Sequence, residues 1–264
     1  MHPLATNERE VLVERLPGKV SLVTLNRPQV RNAINGELTR LLDQAVRDME
    51  ADEEVGAVVL TGAGPDFCAG ADLKAMAQGA ESEVLRTPTG GFAGLVDAPR
   101  TKPWIAAVNG RAIAGGCELM LACDLIVASD NSAFALPEVQ RGLLAVGGGL
   151  TRLPRILPPS IALELILTGG QLDVARAAQF GMVNRVVPLA EVVNAGLDLA
   201  RAIVANAPVS VRESLRIAKI AIQPAEKALK ELNAQGWLRT TGREDAREGA
   251  RAFAEKRVPR WTGR

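Results

Sequence analysis

Two glutamates stand out in this 264-residue chain because each lies in an apolar stretch. Glu118 follows Gly115-Gly116-Cys117 and precedes Leu119-Met120-Leu121-Ala122. Glu138 lies in Phe134-Ala-Leu-Pro137-Glu138-Val139. A carboxylate in the first turn of a helix either complements the helix dipole or faces a cavity. A lone acid like Glu138 is by default solvent-exposed at a strand end. Two such acids on different elements could instead converge on one pocket and share general acid–base work.

Other chemistry is narrowed by what the chain lacks. The only histidine is His2, beside the terminus, and there is no tyrosine. Histidine-based proton transfer, Ser-His-Asp triads and histidine metal sites are therefore close to excluded. Proton transfer falls to Asp, Glu, Lys or Cys. The three cysteines, Cys68, Cys117 and Cys123, form no CxxC pair and read as small core residues in a reducing cytoplasm.

The glycine-rich stretches divide into two kinds. Gly62-Ala-Gly64-Pro-Asp-Phe67 lacks the third glycine of a dinucleotide fingerprint, and Gly147-Gly148-Gly149-Leu150 lacks the Lys-Ser/Thr ending of a phosphate loop. Gly110-Arg-Ala-Ile-Ala-Gly115-Gly116-Cys117-Glu118 instead follows a buried-strand run and leads into a helix. Free N–H groups at such a helix start favour developing negative charge; the plainer alternative is a tight turn packed on the sheet. Phe67-Cys-Ala-Gly-Ala-Asp-Leu73 is similar, with close packing as its plain reading.

The elements that must position these groups read as follows. Val11 to Leu16 and Val20 to Leu25 form a hairpin around Pro17-Gly18. Asn35 caps a helix from Gly36 to about Met49, with Leu38, Leu41, Leu42, Ala45, Val46 and Met49 on one face. Strands are predicted at 57–60, 104–108, 125–128 and 182–187, and helices at 115–122, 161–167 and 173–180. Residues 78–101 read as a mobile excursion. After Pro188 the pattern is helical, with Pro208 and Pro224 at helix starts. The class is an α/β core followed by a helical tail.

With 47% hydrophobic residues the chain can bury a sizeable core. Its 31 basic and 30 acidic residues argue against nucleic acid or an anionic membrane as partner. No apolar run reaches the 18 to 20 residues of a membrane span. The polar N-terminus carries no secretion signal, so a cytoplasmic location is expected.

Taken in order, these segments resemble the crotonase (enoyl-CoA hydratase/isomerase) superfamily across nearly the whole chain. The resemblance rests on Leu25-Asn-Arg-Pro28 with Asn32-Ala-Ile34, on Phe67 to Leu73, on Ala106 to Glu118, on Phe134 to Glu138, and on Phe253-Ala-Glu-Lys-Arg257. It implies a right-handed spiral of ββα turns over residues 1–200. Residues 201–264 would form a C-terminal helical region that assembles trimers or hexamers. It implies that Glu118 and Glu138 are catalytic and that the backbone N–H groups of Ala71 and Gly115 form an oxyanion hole. Ala71, Asp72, Leu73 and Lys74 would border coenzyme A, and Lys256 would lie near its phosphates.

Both glutamates together favour hydration of a trans-2-enoyl-CoA, a lyase activity. No metal or cofactor is implied, since coenzyme A is part of the substrate. Alternatives are an enoyl-CoA isomerase, a carnitinyl-CoA dehydratase-like lyase, and a non-catalytic acyl-CoA binder. Gly90 to Leu95, Arg152 to Pro159 and the closing segment are similar to the carnitinyl-CoA dehydratase-like branch. With five Phe, three Trp and no Tyr, an aromatic cage for a trimethylammonium group is hard to assemble. The chain departs from the family pattern at Ala145-Val146-Gly147, in the loop bordering the acyl pocket.

Overall fold

The computed structural model describes residues 9–72, 82–222, 231, 234–238, 241, 243–260 and 262. In chain order, the first elements are β1 (Val11–Leu16), β2 (Val20–Leu25), α1 (Gly36–Ala51), β3 (Ala57–Gly62), β4 (Arg86–Thr87), β5 (Gly91–Phe92) and β6 (Trp104–Val108). Next come β7 (Arg111–Ile113), α2 (Gly115–Ala122), β8 (Leu125–Ser129), β9 (Ala133–Ala135), α3 (Gly149–Ile156) and α4 (Pro159–Thr168). Then follow β10 (Gln171–Asp173), α5 (Val174–Gln179), β11 (Arg185–Val187), α6 (Val192–Val204), α7 (Pro208–Ile222) and α8 (Glu244–Ala254).

The main sheet runs β1-β2-β3-β6-β8-β11. Its first pair is antiparallel, the expected hairpin, and the rest is parallel. Strands β3 and β6 are buried at every residue, as a parallel sheet covered on both faces requires. The two-residue side-chain period divides these strands cleanly. Val58, Leu60, Ala106, Val108, Ile126 and Ala128 face the larger core, which α1 shares through Leu38, Leu42, Val46 and Met49. Val59, Ile105, Ala107 and Val127 face α6. A Cβ on Gly196 of α6 would come within 3.2 Å of Ala107 and Val59, so the glycine lets the helix lie close on the sheet. Helix α6 spans the expected boundary at residue 200.

A second, smaller ladder explains the spiral. Strands β3, β6 and β8 are each followed by a short extended piece, and these pieces stack in turn, with β10 closing the ladder antiparallel to β9. Cys68 bridges Ala112, Ala112 pairs Phe134, and Phe134 pairs Leu172. Successive strand–ladder–helix turns thus pile up in one direction.

The capping of α1 is as the sequence predicts: the Asn35 side chain accepts from the Leu38 N–H at 2.7 Å. The described part of the 78–101 excursion differs from the expected mobile segment. Leu85, Ala93, Leu95 and Val96 are buried. Thr87 donates to the buried Asp43 of α1 at 2.7 Å, and the Gly94 turn leaves no room for a Cβ beside Asp43. Strand β11 is shorter than the expected 182–187. Pro224, to which the sequence assigns a helix start, lies outside the described residues, as does His2.

Candidate active site

Two chain segments bring backbone amides together. In the first, the buried Asn32 side chain donates to the carbonyls of Ala63, Asp66 and Phe67 and fixes the loop after β3. Farther along, the Ile34 N–H donates to Gly70 O, and the Asp72 N–H donates to Ile34 O, both at 2.8 Å. The alternation of such a bridge turns the Ala71 N–H away from Ile34. In the second segment, Gly115 is the first residue of α2, where N–H groups have no partner within the helix. Ala114 before it adopts φ 53°, a strained choice for a residue with a Cβ. It is held there by its own N–H to Ala135 O at 2.9 Å. The two segments touch. Gly70 has φ 88°, and a Cβ there would lie 3.0 Å from the Gly115 nitrogen. Only a glycine allows this approach.

Glu118 sits one turn into α2 and is buried. Its Oε1 accepts from the Gly149 N–H at 3.0 Å. A Cβ on Gly147 would fall 2.6 Å from Oε2, so the Gly147–Gly149 run cradles this carboxyl with backbone. The run that fails as a phosphate loop thus has a use that its sequence did not announce. Burial raises the Glu118 carboxyl to about 7, against the lowering effect of the Gly149 N–H and Arg152.

Glu138 lies on a 3-10 turn, Pro137–Arg141, that starts on proline and ends at left-handed Gly142. It is partly buried rather than exposed at a strand end, and its Oε2 is buried with no partner among the described residues. Burial raises it to about 8, and the charge of Glu118 adds to the rise. Helix α8 packs directly on this turn: a Cβ on Gly249 would meet Arg141 O at 2.2 Å.

One cavity of about 1140 Å³ is lined by Ala71, Asp72, Gly115, Glu118 and Glu138 together. Phe92 joins them, its ring pressed against Gly115, where a Cβ would lie 2.5 Å away. Phe92, Gly149 and Arg141 carried no signal that spacing alone could expose. Asp72 is tied to Arg27 at 3.1 Å. Leu73 and Lys74 lie outside the described residues. Lys256 is exposed and does not line this cavity. The cysteines are buried and unbridged. Burial and both glutamate charges push the Cys117 thiol up, which removes it as a nucleophile near neutral pH. Among the described residues no group of His, Cys, Asp and Glu could hold a metal ion, and no helix is long and apolar enough to cross a membrane.

A family model described as enoyl-CoA hydratase/isomerase matches residues 15–264. The chain belongs to the enoyl-CoA hydratase/isomerase family. Among relatives in this family, a carnitinyl-CoA dehydratase from Proteus mirabilis is 40% identical over 94% of this chain and 96% of its own length. The enoyl-CoA hydratase EchA19 of Mycobacterium tuberculosis is 39% identical over 97% of each chain. The crystal structure of a carnitinyl-CoA hydratase from Mycobacterium avium superposes with a TM-score of 0.92 at 46% identity, covering 97% of this chain and 99% of that one. The crotonase fold expected from the resemblance is therefore the fold of this family member.

Proposed function

We propose that this protein is an enoyl-CoA hydratase, a lyase that adds water reversibly to a trans-2-enoyl-CoA to give the 3-hydroxyacyl-CoA. One observation carries the reading: two glutamates from different elements line one cavity, and burial pushes both toward the neutral form. In this mechanism the thioester oxygen accepts hydrogen bonds from the Ala71 and Gly115 N–H groups. Water stands between the carboxyls. One carboxylate takes a water proton as the oxygen bonds to the β-carbon. The alkene electrons move toward the thioester, whose oxygen gains negative charge stabilised by the two amides. The other carboxyl then gives its proton to the α-carbon. The pair must hold one proton between them, a state that such coupled acids favour near neutral pH.

Asp72, Leu73 and Lys74 would border coenzyme A, and Lys256 would reach its phosphates. The reverse reaction, dehydration of a 3-hydroxyacyl-CoA, uses the same groups, and relatives named carnitinyl-CoA dehydratase favour it as the second reading. The helical region after residue 200 would assemble a trimer or a pair of trimers, and three buried, unbridged cysteines fit a cytoplasmic setting.

The test is hydration of crotonyl-CoA, followed by loss of its enoyl absorbance. Glu118→Gln and Glu138→Gln are each expected to lower kcat by about 10² to 10⁴-fold while acyl-CoA binding persists. Near-normal turnover by both variants would defeat the assignment.

A further inference from the structure

The rings and charges of the cavity bear on which acyl group it takes, an inference that rests on the hydratase reading above. A carnitinyl or crotonobetainyl chain carries a trimethylammonium group on its γ-carbon. Such a cation cannot donate a hydrogen bond. Away from water it needs open aromatic faces or a free carboxylate.

Among the described residues three rings line the cavity: Phe92, Trp237 and Phe253. Phe92 is wedged between glycines, since a Cβ on Gly115 or Gly147 would lie 2.5 or 3.1 Å from its ring. The Phe253 ring is covered by the Arg141 guanidinium, 5.0 Å from its centroid. Among the described residues Trp237 alone remains, and one ring is not a cage. The lining carboxylates are also engaged. Asp66 takes both Arg111 nitrogens at 2.7 and 3.0 Å, Asp72 pairs with Arg27, and Asp97 pairs with Arg86 at 3.5 Å. Glu83 is exposed at the rim. Glu118 and Glu138 share one negative charge, but Glu118 spends an oxygen on the Gly149 N–H, and both carboxyls face the water that the reaction adds.

Arg141 lies three residues after Glu138 on the same turn and lines the same cavity. It makes no ion pair among the described residues. Its Nη1 donates to Pro137 O at 3.3 Å, and its Nε is buried with no hydrogen-bond partner among the described residues. A cationic chain would enter beside a cation that already occupies one of the aromatic faces.

We propose that Arg141 makes this cavity select uncharged enoyl chains and reject a quaternary ammonium, so that the protein does not share the acyl group named for its carnitinyl-CoA relatives. The probe pair is crotonobetainyl-CoA and its neutral isostere, 5,5-dimethylhex-2-enoyl-CoA. The wild-type kcat/KM is expected to be at least about tenfold lower for the cation, in line with the loss of a desolvated cation–π contact. A smaller ratio overturns the proposal. Arg141→Met should narrow the ratio by about tenfold, and Arg141→Lys should preserve it, whatever either does to absolute rates. An unchanged ratio in Arg141→Met overturns the role of Arg141. If neither thioester is turned over, the hydratase reading is judged on crotonyl-CoA alone. Calorimetric Kd values for γ-butyrobetainyl-CoA and 5,5-dimethylhexanoyl-CoA then decide the selectivity, with the same tenfold criterion.

Discussion

At the scale of single residues, the carboxyl pair imposes a cost that can be measured without any substrate. Both glutamates have folded-state values raised above the ordinary 4.5. The folded protein therefore binds more protons than the unfolded chain between about pH 4.5 and 8. Their contribution to stability is fully present below 4.5 and is lost as pH rises through about 7 for Glu118 and about 8 for Glu138. Glu118 is fully buried and Glu138 partly so, and the loss is on the order of a few kcal/mol. Denaturant midpoints should fall between pH 5 and pH 9 in the wild type. They should stay nearly level in the Glu118→Gln, Glu138→Gln double variant. Equal slopes in the two proteins would show that burial does not hold these acids toward neutrality. The Asp66–Arg111 pair does not confuse this test. Its hydrogen bonds lower Asp66, so its stabilisation is lost only as pH falls below the window.

At the scale of elements, the C-terminal helix α8 buttresses the turn that carries Glu138. Gly142 and Gly249 allow the contact: Cβ atoms there would meet Asp245 O at 2.7 Å and Arg141 O at 2.2 Å. Gly249→Ala must push the helix or the turn away, an overpacking that typically costs about 1–3 kcal/mol. The expected outcome is at least a tenfold fall in kcat for crotonyl-CoA with helical circular dichroism retained. Unchanged kcat would mean that α8 does not hold the turn. The helical pattern after Pro188 covers α8 but does not reveal its partner. The same limit holds for the 82–97 segment. Its glycines suggest mobility, whereas Gly90 and Gly94 are small so that the chain can pack against Asp43.

At the scale of the whole molecule, α7 is a helix without a buried residue. Val209, Ile217 and Ile220 share one of its faces, and each is more than half exposed. An apolar stripe of this kind, outside the core, is what an assembly surface requires. Light scattering after gel filtration is expected to give a mass that is a multiple of three subunits. Ile217→Asp with Ile220→Asp should shift that mass down. A wild-type monomer would contradict the trimeric reading, and an unshifted variant would move the interface elsewhere.

The sequence by itself determined the strands of the main sheet, the hairpin, the Asn35 cap and the helix start at Gly115, and it singled out the two glutamates. These are local: a two- or 3.6-residue period, a capping side chain, or a helix start is written in neighbouring residues. Family resemblance then joined five separated motifs. Only the tertiary structure decided that Glu118 is cradled by Gly147–Gly149, that Phe92 closes the cavity, and that Arg141 covers Phe253. Each of these contacts joins segments at least 23 residues apart along the chain, as Gly115 lies from Phe92, and up to 112, as Phe253 lies from Arg141. The raised carboxyl values follow for the same reason. Desolvation depends on every chain segment that excludes water from the site, and no short stretch of sequence encodes that.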